Sequence, residues 1–245
     1  MQDLFIGGIN MVQAFLLKSP GLALVLYYAK GSEKKLEQVL PDKPLPHCRK
    51  QVADVKQLNE MFGGVSHQGV VLHIRNFPTM SLDALADQIE KQAVYHRVLV
   101  LDQVQDPQNL GACFRSAAAF GVTAVITPDR NAVGITPVVA KVSCGACALV
   151  PLIKVKNLVR AMQQLKQAGL WFYGTSEFAG NALSSMVVDR SIAWVMGGED
   201  KGVRSLVMEH CDNQFVIPVN PGFTTLNVAT ATGIVLYHTF VSGSN

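Results

Sequence analysis

The first third of the chain alternates apolar runs with amphipathic segments. LALVLYYA (22–29) and GVVLHI (69–74) are typical of strands, and EKKLEQVL (33–40) is typical of a helix. PHCRKQ (46–51) is predicted as a short strand. VADVKQLNEMF (52–62) is predicted as a helix whose Val52, Val55, Leu58 and Met61 share one face. These elements predict a compact α/β unit.

A break follows at NFPTMS (76–81), where Pro78 interrupts the pattern. Ser81 is a suitable N-cap for LDALADQIEKQAV (82–94), a predicted helix with Leu82, Leu85 and Ile89 on one face. We therefore predict a domain boundary here. The predicted parts are residues 1–78, a linker and helix at 79–96, and a second domain at 97–245.

From His96 onward, nearly continuous apolar runs alternate regularly with helical segments. The predicted strands are VLVLDQV (98–104), TAVITP (123–128), VPLIKV (150–155), WFYGTS (171–176), IAWVM (192–196) and QFVIPV (214–219). This alternation predicts a parallel sheet covered by helices on both faces. Ligands bind such sheets beyond the carboxyl ends of the strands, so the loops after these strands are the segments to inspect.

Composition narrows the class of protein. With 49% hydrophobic and 16% charged residues, the chain predicts a well-cored globular protein. No apolar run approaches the ~18–20 residues that span a bilayer, and the first residues lack a signal-peptide pattern, so we expect a soluble cytoplasmic protein. Residues 1–78 hold nine Lys/Arg against six Asp/Glu, whereas 79–245 hold twelve of each. This bias favours an anionic partner as much as a merely basic surface.

The five cysteines suit a reducing compartment, and only Cys144 and Cys147 in CGAC are close in sequence. A zinc half-site or a redox pair is the alternative reading of CGAC. Because no second CxxC or HxxxH accompanies it, we predict a packed segment and no metal.

Three segments after strands carry polar groups in unusual places. In DPQNLGACFRSAAAFG (106–121), Asp106 or Asn109 can cap a helix and Gly111 allows a close approach. Arg115 stands among small and apolar residues, which predicts either an interhelical ion pair or a functional role.

The second segment, MGGEDKGV (196–203), joins a strand to the predicted helix VRSLVMEHC (203–211). Such a glycine-rich turn presents free N–H groups to a ligand, and Glu199 and Asp200 suit either charge–dipole capping or acid–base chemistry. Neither G-x-G-x-x-G nor G-x-x-x-x-G-K-[ST] occurs, which argues against the usual nucleotide loops. The third segment places Thr225 and Asn227 at the start of a helix, where capping is the plain interpretation.

Together, the segments NLGACFRSA (109–117), VMGGEDKGV (195–203) and IPVNPGFTTLNVATATGI (217–234) resemble the three ordered motifs of the SpoU class of SPOUT RNA 2'-O-ribose methyltransferases. The resemblance is closest to the bacterial 23S rRNA guanosine-2'-O-methyltransferases. FIGGINMVQAFL (5–16) and VSHQGVVLHI (65–74) are similar to the small substrate-binding domain of that group. The resemblance implies an L30e-like N-terminal α/β domain that binds RNA and a parallel-sheet catalytic domain with a deep trefoil knot. It also implies a homodimer and S-adenosylmethionine as methyl donor.

The resemblance assigns a role to individual residues. Asn109 and Arg115 are the implied substrate-binding residues, and Arg115, Glu199 and Asn227 the implied catalytic ones. Thr175 and Ser176 are expected to line the cofactor pocket. The implied cofactor-binding residues also include Gly197, Gly198, Gly202, Ile217, Leu226 and Asn227. Apolar side chains such as Ile217 and Leu226 suit the two faces of an adenine.

Methylation of a ribose 2'-hydroxyl requires the oxygen to lie in line with the methyl group and its proton to leave. The resemblance gives Arg115 the central role, as base or as the group that orients ribose and phosphate. We favour orientation, because a guanidinium with a pKa above ~12 is hard to deprotonate and its fork suits phosphate. Glu199 is the carboxylate expected to hold Arg115. Thr225 and Ala229 stand where the family usually has serines.

The leading hypothesis is S-adenosylmethionine-dependent 2'-O-methylation of the ribose of a guanosine in 23S rRNA. Methylation of tRNA or of another rRNA site is an alternative within the same class. A non-catalytic RNA-binding or ribosome-assembly protein is the alternative from a different class, and Arg115, Glu199 and Asn227 argue against it.

Overall fold

The computed structural model describes residues 4–40, 45, 47–63, 66–91, 94–198, 202–220, 222 and 226–243. The N-terminal part forms a mixed sheet of four strands in the order β1-β4-β2-β3, in which β2 and β3 are parallel and the other pairs antiparallel. Its elements are β1 (Leu4–Gly7), α1 (Ile9–Lys18), β2 (Ala23–Ala29), α2 (Glu33–Val39), β3 (Arg49–Ala53), α3 (Val55–Met61) and β4 (Val70–Ile74).

The predicted elements of this part are present, but two further ones were not predicted. These are β1 and α1, which buries Met11, Val12, Phe15 and Leu16. The first strand has only four residues, too few for an alternating pattern to stand out.

The predicted apolar face of α3 is wrong in two positions. Leu58 is fully buried, but Val52 and Val55 are 52% and 57% exposed. The helix begins only after Asp54, whose side chain accepts a hydrogen bond from the Gln57 amide while the Gln57 side chain accepts one from the Asp54 amide. This capping box fixes the helix start. Val52 therefore belongs to β3, the edge strand of the sheet.

The second sheet has seven parallel strands in the order β7-β6-β5-β10-β8-β11-β9. The strands are β5 (Arg97–Asp102), β6 (Ala124–Pro128), β7 (Leu152–Val155), β8 (Trp171–Thr175), β9 (Asn181–Ala182), β10 (Ile192–Gly197) and β11 (Asn213–Val216). The helices are α4 (Leu82–Lys91), α5 (Pro107–Ala119), α6 (Pro137–Val142), α7 (Leu158–Gln167), α8 (Ser205–Met208) and α9 (Val228–Ser242).

Both faces of this sheet are buried, as the near-continuous apolar runs predict. On β5, Leu99 and Leu101 belong to the core cluster that continues into the N-terminal part, whereas Val98 and Val100 belong to a second cluster on the opposite face. The predicted cap of α4 is also confirmed, since the Ser81 Oγ accepts a hydrogen bond from the Ala84 amide at 3.1 Å. Its predicted face is buried at Leu85 and Ile89. Only the two-residue β9 was not predicted.

The CGAC segment packs between the two parts of the chain. A Cβ at Gly145, which has φ +85°, would overlap the Met11 side chain of α1. Cys147 is buried, and its burial raises the pKa of the thiol to about 11, whereas Cys144 is exposed. Within the described ranges, no group of three or more His, Cys, Asp or Glu side chains is arranged to hold a metal ion.

No helix in the described part of the chain is long and apolar enough to cross a membrane. The trefoil knot stays a prediction, because the path of the chain through residues 199–201 and 223–225 lies outside the described residues. The domain boundary near residue 78 also stays a prediction.

Candidate active site

The glycine-rich turn after β10 folds back on itself at the carboxyl edge of the parallel sheet. Gly198 and Gly202 form an antiparallel bridge, with the Gly202 amide donating to the Gly198 carbonyl at 2.9 Å. A Cβ at Gly197 would overlap the Gly202 carbonyl carbon and the Val203 amide nitrogen. At Gly198 a Cβ would lie 2.8 Å from the Gln103 carbonyl oxygen. Glycine is thus needed at both positions, because the contacting atoms are backbone and cannot move aside.

An ion pair between a buried carboxylate and a partly exposed arginine fixes this turn to the neighbouring strand β5. Asp102 at the end of β5 is fully buried, and its Oδ1 lies 2.7 Å from the Arg204 Nη2. The Arg204 Nε and the Arg204 backbone amide also donate to this carboxylate, at 2.9 and 3.0 Å. A buried carboxylate needs such multiple partners, and here they hold the end of the turn in place.

Three backbone amides in the described part of this segment have partners within the chain. The Gly198 amide donates to the Asp102 carbonyl, the Gly202 amide to Gly198, and the Arg204 amide to the Asp102 side chain. The following helix α8 has four residues rather than the nine predicted for VRSLVMEHC. The prediction of N–H groups open to a ligand stays a prediction, because residues 199–201 of the turn lie outside the described residues.

The remaining predicted pocket residues lie on or directly after β8 and β11, the two strands beyond β10 in the order of the sheet. β8 lies between β10 and β11, so Thr175, Gly197 and Val216 end at the same edge of the sheet. The Thr175 hydroxyl lies 3.9 Å from the Met196 sulfur, and the Ser176 hydroxyl accepts a hydrogen bond from the Phe178 amide at 3.2 Å.

Two predicted adenine contacts, Ile217 and Leu226, are half-buried and pack against the edge of the core. They follow β11 and precede α9, so they flank the end of the sheet at which the glycine turn lies. An apolar rim of this kind, beside hydroxyl and backbone groups, fits a flat heterocycle.

A direct side-chain contact joins the first and third motifs. The Asn227 Nδ2 donates to the Asn109 Oδ1 at 3.0 Å. The Asn227 Oδ1 accepts from the Ala229 amide at 2.9 Å, which makes Asn227 the N-cap of α9. Farther along, α5 and α9 stay in contact, with the Cys113 sulfur 3.6 Å from the Thr232 hydroxyl. Residues 118 positions apart in sequence thus meet at one point.

The N-cap of α5 is Asp106, whose side chain accepts a hydrogen bond from the Gln108 amide at 3.0 Å. Asn109 is therefore not the cap, and its buried side chain instead faces Asn227. Gly111 makes the predicted close approach, because a Cβ there would lie 2.7 Å from the Val142 Cβ on α6.

Arg115 lies on the exposed side of α5. Six residues separate it from Asn109, about 9 Å along the helix axis. It forms no ion pair with any carboxylate of the described ranges, so the interhelical pair that the sequence left open is not found there. Its expected partner Glu199, like Asp200 and Thr225, lies outside the described residues. The structure thus brings Asn109 and Asn227 into direct contact and leaves Arg115 on the exposed side of α5.

The sequence and fold agree with those of known proteins. Residues 96–237, more than half of the chain, match the model of the SpoU rRNA Methylase family. The 23S rRNA (guanosine-2'-O-)-methyltransferase RlmB of Vibrio vulnificus is 37% identical over 238 residues, which cover 97% of this chain and 96% of the relative. The chain belongs to the SpoU rRNA methylase family.

Two solved structures of another SpoU methyltransferase, AviRb from Streptomyces viridochromogenes, share the fold. The first has a TM-score of 0.79 at 19% identity and covers 98% of this chain and 89% of that one. The second, in complex with the cofactor AdoMet, has a TM-score of 0.75 at the same identity and coverage. At this identity the likeness concerns the SpoU fold alone.

Sequence reasoning missed Asp102 and Arg204 as partners in this SpoU site. Asp102 stands at the end of an apolar strand, where a buried carboxylate must be paired. Its position in the sequence therefore indicated that it needs a cationic partner. Its partner 102 residues later could not be chosen from the sequence, because several arginines and lysines were equally eligible.

Proposed function

We propose that this protein transfers a methyl group from S-adenosylmethionine to the ribose 2'-hydroxyl of a guanosine in 23S rRNA. Membership of the SpoU rRNA methylase family and the name of a relative that aligns over nearly the whole chain support this proposal. The observation that carries it is the Asn227–Asn109 hydrogen bond, which joins the first and third of the three segments that resemble the family motifs.

The residues at the carboxyl ends of β8, β10 and β11 fit the methyl donor. Ile217 and Leu226 offer apolar contacts for an adenine, and Thr175 adds a hydroxyl at the same edge. S-adenosylmethionine supplies a methyl group on a cationic sulfur, so the protein need not activate it. The backbone of Gly197 and Gly198 fixes the wall of this pocket through its contacts with Gly202, Val203 and Gln103.

The remaining task of the protein is to hold the ribose oxygen in line with the methyl group and to let its proton leave. Arg115 orients the ribose and its phosphate through the guanidinium fork, with Glu199 as its carboxylate partner. The exposed position of Arg115 on α5 supports contact with a large external substrate. Asn227 and Asn109 hold the start of α9 against α5, which keeps the arginine and the cofactor pocket in register.

Residues 1–78 are proposed to bind RNA. Arg49 and Lys50 are exposed on the edge strand β3, and Lys34 and Lys35 are exposed on α2. Folded RNA is contacted mainly through phosphates and 2'-hydroxyls, which these side chains match. We also propose that the protein acts in the cytoplasm, which suits its five free cysteines.

We further propose a homodimer whose interface includes the outer face of α9. Tyr237 and Val241 are 59% and 50% exposed on this helix, four residues apart on one side. The Tyr237 ring packs edge-on against Phe120 at 5.9 Å, next to the end of α5. A second copy that covers this face would bury apolar surface close to Arg115.

The function is tested by incubating purified protein and labelled S-adenosylmethionine with separate pools of unmodified 23S rRNA and tRNA, then mapping the methylated ribose. We expect label in a guanosine of 23S rRNA. The Arg115→Ala variant should lower methylation at least ~100-fold, because it loses substrate orientation. Its affinity for S-adenosylmethionine, measured by calorimetry, should stay unchanged.

Arg115→Lys separates the two roles of the arginine. Lysine keeps the charge and is more easily deprotonated, but it lacks the fork, so an orienting role predicts a loss close to that of Arg115→Ala. Arg160→Ala, on the exposed side of α7, is the matched control and should retain full activity. Absence of label from both RNA pools would favour the non-catalytic RNA-binding alternative. Label in tRNA alone would show that tRNA, and not 23S rRNA, is the substrate.

A further inference from the structure

A cleft opens at the carboxyl edge of the parallel sheet, beyond the ends of β5, β6 and β7. It has a volume of about 580 Å³. Its walls include Gln103 after β5, Arg130 and Asn131 after β6, Lys156 and Asn157 after β7, and Arg204. We call it the strand-end cleft. None of the residues assigned to the cofactor lines it.

The strand-end cleft carries more positive than negative charge. Arg130 and Lys156 are exposed, and neither takes part in an ion pair within the described ranges. Arg204 is neutralised by the buried Asp102, so Asp129 is the remaining carboxylate in the lining. Two unpaired cations therefore face one carboxylate, with the amide side chains of Asn131 and Asn157 beside them. This combination of cations and amide donors is the one that proteins use for phosphate.

Backbone geometry singles out the same cleft. Gln103 and Asn131, which both line it, have left-handed backbone angles, with φ of 62° and 56°. Non-glycine residues rarely adopt this conformation, and such strain concentrates at ligand-binding sites. The Gln103 carbonyl also lies close to the glycine turn, since a Cβ at Gly198 would stand 2.8 Å from its oxygen.

The cleft adjoins the candidate active site. In the sheet, β5 is hydrogen-bonded to both β6 and β10, so the cleft and the cofactor pocket share one edge. β6 lies two strands from β10, which corresponds to ~10 Å. Arg204 lines the cleft directly after the turn that carries Gly202. A strand of RNA with its ribose at the methyl donor has neighbouring phosphates within reach of the cleft.

We propose that the strand-end cleft binds a phosphodiester of the substrate RNA that neighbours the target ribose, through Arg130 and Lys156. This inference rests on the proposed function, since RNA is taken as the substrate. It adds a binding contact in the C-terminal part of the chain to the RNA contacts proposed for residues 1–78.

The test measures binding of an unmodified 23S rRNA fragment to the full chain by filter binding at several salt concentrations. Arg130→Glu and Lys156→Glu should each weaken RNA binding by about tenfold or more, and the slope of log affinity against log salt should fall by about 1 for each lost phosphate contact. The KM for RNA should rise while kcat at saturating RNA stays unchanged. Calorimetry should give wild-type affinity for S-adenosylmethionine.

Arg160→Glu is the matched control, because it reverses an exposed charge on α7 that does not line the cleft. An equal loss of RNA binding in this variant, or an unchanged affinity and salt slope in the two cleft variants, would overturn the proposal. Weaker binding of S-adenosylmethionine in the cleft variants would overturn it too, by assigning the cleft to the cofactor. If wild-type protein binds RNA through the cleft without methylating it, the proposed function fails and this site stands.

Discussion

At the scale of a single residue, Asn227 is the N-cap of α9 and also contacts a second helix. Its Oδ1 accepts hydrogen bonds from the Ala229 and Thr230 amides, at 2.9 and 3.4 Å, as a cap does. Its Nδ2 donates to Asn109 on another helix, which a cap does not require. The two ends of one amide thus cap α9 and join it to α5, and the role of this contact in the active site stays a proposal.

Two substitutions separate these roles. Asn227→Asp keeps an oxygen for the cap and removes the amide donor, so the free energy of unfolding should stay near that of the wild type while methylation falls. Asn227→Ala removes both and should also lose about 1 kcal/mol of stability. Urea unfolding and the methylation assay measure the two effects. Full activity in Asn227→Asp would reduce Asn227 to a cap.

Among single residues, the sequence predicted helix caps but not the contacts between distant segments. Ser81, Asp106 and Asn227 were predicted as caps or possible caps, because capping depends on residues within one turn. The pairing of Asp102 with Arg204 and of Asn109 with Asn227 could not be predicted from local pattern, since both partners come from distant segments.

At the scale of elements, α1 and the CGAC turn form a joint between the N-terminal sheet and the parallel sheet. Gly145 has φ +85°, and the space where a Cβ would stand is filled by Met11, which is 7% exposed. Cys147 next to this turn is fully buried. The CGAC spacing is therefore explained by the turn and its packing against α1.

Gly145→Ala should destabilise the protein by about 3 kcal/mol, because it combines a left-handed backbone with overpacking against Met11. In a Met11→Ala background the same change should cost about 1 kcal/mol less, since the clash is relieved. Thermal or urea unfolding of the wild type, the two single variants and the double variant gives the free energies of this double-mutant cycle. Gly169→Ala is the control for backbone strain alone, because Gly169 has φ +95° and no neighbouring atom within 4 Å of a Cβ. Equal costs for Gly145→Ala in both backgrounds would contradict the proposed contact.

The elements themselves were largely predictable. The sequence pattern located nine of the eleven strands in the described residues, namely β2–β8, β10 and β11, and missed β1 and β9. The spacing-three face of α3 misled because Val52 continues the strand β3 until Asp54 stops it. Sequence periodicity alone does not locate such a boundary when an apolar residue suits both elements.

For the whole molecule, the proposed dimer makes the exposed side of α9 a subunit contact. This helix buries Val228, Ala231, Val235 and Leu236 inward, yet it also exposes apolar side chains outward. A helix that is apolar on both sides is typical of one that packs between two bodies. The first body is the core of this chain, and the proposed second body is another copy.

Sedimentation equilibrium should therefore give twice the chain mass of 26.5 kDa for the wild-type protein. Tyr237→Glu should shift the protein toward the monomer, because a charge replaces an apolar contact at the proposed interface. Val55→Glu on α3 is the control, since Val55 is 57% exposed but lies in the N-terminal part, away from α9. A monomeric wild-type protein, or a Tyr237→Glu variant that stays dimeric with a native circular dichroism spectrum, would contradict this interface.

The sequence by itself determined the α/β class, the parallel sheet buried on both faces and the three loops at its carboxyl edge. These follow from local periodicity and from the direction of parallel strands. Only the tertiary structure decided which loops meet, namely the Asn227–Asn109 contact, the Asp102–Arg204 ion pair and the adjacent strand-end cleft. The physical reason is that these contacts depend on the order of strands in the sheet, which brings together residues roughly a hundred positions apart.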